Sequence, residues 1–162
     1  MPLLARLTAQ LDELRRLASM PDVDLCASAN CSAWTPAEHL DHMLKVTKSI
    51  VRRLLDLEAQ PSGGITAAGR LILLFGRIPR GRGKSPERLR GTKLTQAQLL
   101  ESLQALEADI QRLQDAHLSP KRGAIVPHPR FGGLTPAQAI RFAVVHNRHH
   151  FLIIRDVMRQ RV

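Results

Sequence analysis

Aromatic side chains are nearly missing from this chain: one tryptophan, four phenylalanines and no tyrosine occur among 162 residues. Its core must therefore be packed by leucine and other aliphatic residues, and it has too few rings to build a base-stacking platform for single-stranded nucleic acid. Cysteine is scarce too. Cys26 and Cys31, with four residues between them, fit neither a CxxC redox pair nor a full zinc-finger set, so free thiols are expected. No apolar run reaches transmembrane length, and "MPLLARLTAQLDELRRLASM" interrupts its leucines with charges where a secretory signal needs an apolar centre. A cytoplasmic protein without a membrane partner is expected.

Acidic residues are also in short supply, 14 against 24 lysines and arginines, giving a formal charge of +10. Such a charge draws anions at long range, so its distribution matters more than its sum. In "GRIPRGRGKSPERLRGTK", Arg77, Arg80, Arg82, Lys84, Arg88, Arg90 and Lys93 face only Glu87. This stretch reads as a long basic crossover loop, either solvated or able to hold an anionic cosubstrate over a site. The remaining composition, 44% hydrophobic and 23% charged, suits one globular domain spanning residues 1–162.

Three segments open alike, "TPAEHL" at 35, "TQAQLL" at 95 and "TPAQAI" at 135, each with Thr three residues before Glu or Gln. This is the capping box, in which the hydroxyl and the Glu or Gln side chain each satisfy a backbone amide that the first helical turn leaves orphaned. Likeness at caps is convergence, and no internal repeat is read from it. Helical spacing continues each segment, over 35–60, 95–116 and the C-terminal stretch, where Ile140, Ala143, Val144, Phe151, Ile154 and Met158 mark an apolar stripe. Leu3, Leu4, Leu7, Leu11, Leu14 and Ala18 define a first helix, and "ITAAGRLILLFGRI" a shorter additional one. "PDVDLCASANCSAW" and "LSPKRGAIVPHPRFGG" read as loops, and no sustained alternation supports a sheet. An all-α four-helix bundle with one additional short helix is predicted.

Three histidines crowd "AVVHNRHHFLII". His146 and His150 are one helical turn apart on one shoulder of the stripe, where two imidazoles can converge on one ion, while His149 is rotated away by about 100°. A metal site needs a further ligand. His39 and His42, on the capped helix that starts at 35, both qualify by position; periodicity does not settle the choice, with His39 somewhat closer to the stripe of its helix and His42 near its edge. His117 and His128 fall in loops and are expected at the surface. Glu38 and Asp41 are open to a role beside the site, although Glu38 already has one in the cap. Asn147 is expected to make a buried hydrogen bond or to join the site.

"WTPAEHLDH" together with "HPRFGGLTPAQAIRFAVVHNRHH" resembles the DinB-like superfamily of four-helix bundles, most closely a bacterial branch with an HPxFG approach to the last helix. The resemblance implies a metal bound by His42, His146 and His150, a divalent transition ion of which zinc and nickel are the leading candidates. It also implies an enzyme of the thiol S-transferase or hydrolase type, activating a low-molecular-weight thiol or water toward a small-molecule substrate, in a protein that forms homodimers. Relatives often carry Gln three residues after the last ligand, where this chain has Ile153. A non-catalytic bundle stabilised by its metal is the alternative. A basic nucleic-acid-binding protein is the third reading, without a recognisable motif to support it.

Overall fold

The computed structural model describes residues 3–56, 63–81, 85–116 and 125–160; Leu57, Arg82, Lys84 and His117 lie outside them. Helices α1 (Leu3–Ala18), α3 (Pro36–Leu55), α5 (Gln96–Asp115) and α6 (Pro136–Gln160) form the bundle. Between them lie a single turn, α2 (Asp22–Leu25), the shorter α4 (Ala67–Phe75), and a two-stranded antiparallel hairpin of β1 (Val126–His128) and β2 (Gly132–Leu134). No helix among the described residues is long and apolar enough to cross a membrane.

All three capping boxes form. Glu38 N–H donates to Thr35 Oγ1 and Thr35 N–H to Glu38 Oε2, at 3.4 and 2.8 Å. Thr95 with Gln98, and Thr135 with Gln138, repeat the exchange at the starts of α5 and α6. The short α4 has half a box, Gly69 N–H on Thr66 Oγ1, and ends at Gly76, whose φ of 62° is the left-handed conformation that glycine adopts at least cost.

Both α3 and α1 pack against α5 and α6, so the four long helices close a ring in the order α3, α5, α1, α6. Leu7, Leu14, Leu40, Met43, Leu54, Leu99, Leu103, Leu106, Ile110 and Ile154 fill its centre, the aliphatic core that the shortage of aromatics requires. One polar chain crosses it: Thr47 Oγ1 donates to Asn147 Oδ1, and Asn147 Nδ2 to Gln10 Oε1, each at 3.2 Å. Asn147 thus ties α3, α6 and α1 together.

Two sequence expectations change. The segments read as loops contain α2 and the hairpin, whose three-residue strands are too short to show alternation. The hairpin is held by α4's lead-in, through Thr66 N–H on Phe131 O at 2.8 Å and a bridge between Ile65 and Gly132. The inward face of α6 is also rotated from the apolar stripe. Its buried line runs through Ala139, Phe142, Ala143, His146, Asn147, His150, Ile153, Ile154 and Val157, leaving Ile140, Val144, Phe151 and Met158 only partly covered. Three inward residues are polar, so hydrophobicity alone points to the wrong centre.

Because Thr35 satisfies an otherwise orphaned amide, Thr35→Ala is expected to lower unfolding stability by about 1 kcal/mol. A urea titration checks it: the midpoint falls while the slope is unchanged.

Candidate metal centre

The helical repeat of α3 turns His39 and His42 toward α6, and that of α6 turns His146 and His150 toward α3. Of these four, His42, His146 and His150 form a group that could hold a metal ion, each offering one ring nitrogen, with the three nitrogens within 4.8 Å of one another. All three residues are buried, with 6 or 7% of their surface exposed.

Nδ1 of His42 lies 2.5 Å from Leu89 O. A carbonyl only accepts, so the proton of a neutral His42 sits on Nδ1 and its Nε2 carries a lone pair. That Nε2 is 3.0 Å from Nε2 of His146. Two imidazole nitrogens approach this closely only with a proton or a cation between them. The Nδ1 of His146 is buried with no hydrogen-bond partner, so no protein group fixes the second nitrogen of this ring. Grouped neutral imidazoles, with Leu89 O behind His42 and the His39 ring behind His150, suit a borderline transition ion, and the residues present fit such a group.

Burial is the main reason that all three rings resist protonation. It lowers the His42 pKa against the opposing pull of Leu89 O and Asp41, and takes His146 and His150 well below the ordinary histidine range, with neighbouring imidazoles adding to the effect. Around neutral pH the trio is uncharged, the state that ligation requires.

His39 stands behind the group. Its Nδ1 is 2.9 Å from Nδ1 of His150, and Ser32 Oγ is 2.9 Å from its Nε2. Burial, followed by the His42 ring, lowers its pKa to about 4. Trp34 covers the same end, its ring centroid 5.4 Å from His39, 5.1 Å from His42 and 6.4 Å from His150, stacked on the last. Phe142 closes on His146 from the hairpin side, with ring centroids 5.5 Å apart. His149 is outside the group and half-buried, its ring edge against His150 and its side chain bonded to the Ile78 backbone. Ile153 is buried with Ala29 and Val157, so the position where relatives often place Gln is apolar packing here.

The basic crossover reaches the site through its backbone. Leu89 O takes His42, Arg90 O takes Lys45 Nζ at 3.0 Å, and Thr92 donates to Asp41 Oδ2 through both its amide and its hydroxyl, at 2.7 and 2.8 Å. Asp41 also holds Lys45 at 2.6 Å, so this buried carboxylate anchors the crossover. Glu38 is used in the cap. Gly91 makes the seat possible: a Cβ there would lie 1.9 Å from Glu38 O. Sequence reasoning missed Leu89, because a backbone carbonyl leaves no side-chain signature. Gly91 was its one available signal.

His128 corrects the surface expectation. It stacks on Phe131 with centroids 4.3 Å apart, and its Nδ1 accepts the amides of Arg130 and Phe131, each at 3.2 Å, which makes it the internal brace of the hairpin turn. Cys26 and Cys31 are free, as expected.

Gly91→Ala is expected to lift the crossover and lower stability by about 1–3 kcal/mol, the usual cost of overpacking. Thermal melts give the loss, and a shifted His42 ring resonance shows that its carbonyl partner has gone. Burial, with Arg130 nearby, lowers the His128 pKa from 6.5 to about 4. The folded value lies below the unfolded one, so stability from this ring is complete above about 6.5 and is lost as pH falls toward about 4. An NMR titration should find His128 neutral at pH 5.5, and a midpoint near 6.5 would refute the brace.

The model of the DinB superfamily matches residues 4–154. No curated protein and no solved structure gives a significant match to the chain. The matched span contains the whole histidine group and all but the last turns of the bundle, and the chain belongs to the DinB superfamily.

Proposed function

We propose that His42, His146 and His150 bind one divalent transition metal ion, zinc or nickel, and that the protein is a metal-dependent enzyme activating a low-molecular-weight thiol or water. The observation that carries this reading is the grouping of three buried imidazoles from two helices, one ring nitrogen of each within 4.8 Å of the others. An ion held by three protein ligands keeps a position open, and there it can acidify a water or hold a thiol as thiolate.

The chain's own residues supply position and exclusion. Leu89 O fixes the ring of His42, while Trp34 and Phe142 wall the group with apolar surface that limits the water around it. Asp41 and Glu38, the carboxylates on α3 nearest the group in sequence, are committed to the crossover and to the helix cap. Both carboxylates thus serve the structure, and a bound ion would supply the activation of the thiol or water.

Trp34 is the single tryptophan in a chain without tyrosine, and its ring is 5.1 Å from His42. Titration with nickel or cobalt should quench its fluorescence with a one-to-one endpoint. His42→Ala, His146→Ala and His150→Ala should each abolish stoichiometric uptake in metal analysis of untagged protein. At a hundredfold excess over Kd, metal should stabilise the fold by about 2.7 kcal/mol. Undiminished metal in all three variants would end the reading. Stabilisation without turnover of any thiol or hydrolase substrate would leave a metal-braced bundle.

A further inference from the structure

The hydrogen bonds around Ser32 fix more than a loop. Ser32 Oγ lies 3.0 Å from Trp34 O, receives Trp34 N–H at 3.0 Å, and is 2.9 Å from His39 Nε2. A hydroxyl has one proton, and a carbonyl can only accept it. With that proton on Trp34 O, Ser32 must accept from His39, which places the His39 proton on Nε2. A neutral imidazole carries one N–H, so His39 Nδ1 is then a lone pair. Facing it at 2.9 Å is His150 Nδ1, which must carry a proton to make the contact favourable. His150 is left with its lone pair on Nε2.

Leu89 O imposes the same state on His42 by a separate route, since its bond to Nδ1 also frees Nε2. Two unrelated acceptors, a backbone carbonyl on the crossover and an imidazole backed by a serine, thus select the same tautomer in two of the three rings. We propose that Ser32 and His39 are positioning residues that hold the proton of His150 on Nδ1 and thereby present its Nε2 to the metal. His39 looks like a spare ligand in the sequence, one turn before His42 on the same helix. Its working partner is instead the ring of His150, 111 residues away. The link to metal rests on the three-histidine reading, whereas the tautomer is a property of the protein alone.

The experiment therefore begins with metal-free protein labelled with ¹⁵N in histidine. Long-range proton–nitrogen correlation spectra should show His150 protonated at Nδ1, and His39 at Nε2. In Ser32→Ala and His39→Leu the His150 signals should move toward the other tautomer or an average of the two. Metal affinity, read by competition with a chelator, should fall about ten- to a hundredfold in His39→Leu, the usual consequence of removing the group that orients a ligating histidine. His39→Asn places an amide oxygen near the position of Nδ1 and should return most of the loss. A purely structural role would not be rescued by so small a polar side chain.

A wild-type His150 protonated at Nε2 overturns the proposal, whatever the metal does. So does a Nδ1–H tautomer that persists in both variants, or metal affinity unchanged in His39→Leu. If wild-type protein takes up no metal, the three-histidine reading fails and with it the role in ligation, while the spectra still decide whether Ser32 and His39 set the proton.

Discussion

An imidazole withdrawn from water keeps two nitrogens that need partners, and α3 and α6 bring four such rings face to face. An unsatisfied buried polar atom costs about 1–3 kcal/mol, so each buried ring nitrogen constrains what is placed beside it. The crossover passes where it does because its carbonyl at Leu89 is needed by His42. Ser32 folds back under Trp34 where it can reach His39. Among the described residues, Nδ1 of His146 is the buried side-chain nitrogen left without a hydrogen-bond partner.

Helix starts were legible because capping is local chemistry: Thr35, Thr95 and Thr135 each announce an amide exchange that happens within three residues. The shape of the bundle followed from leucine spacing for similar reasons. The composition of the candidate group was legible only with the family pattern, since periodicity leaned slightly toward His39 over His42 and placed His146 and His150 on a shoulder of the stripe. The structure shows why it failed there. Where a helix buries histidine and asparagine, hydrophobicity no longer marks the inward face, and α6 buries both beside Ile154 and Val157. The hairpin and the seat of the crossover were hidden because their partners are remote backbone atoms.

The basic segment shows the difference between charge and role. Its arginines drew attention in the sequence, yet the contacts that shape the site come from the carbonyls of Leu89 and Arg90 and from Thr92. Arg80, from the same stretch, pairs with Asp156 on α6 at 2.7 Å. Its guanidinium is half exposed, where an ion pair adds little to stability.

His42 and His146 are separated by 104 residues of chain. Bringing them together closes a long loop, which costs entropy before any contact repays it. His146 and His150, by contrast, are neighbours on any turn of helix, even a transient one. A chain that has not yet folded therefore holds two of the three imidazoles in one local element, and the third arrives only when α3 docks on α6. His146 and His150 can thus meet within one helical turn, whereas His42 joins them only across a long stretch of chain.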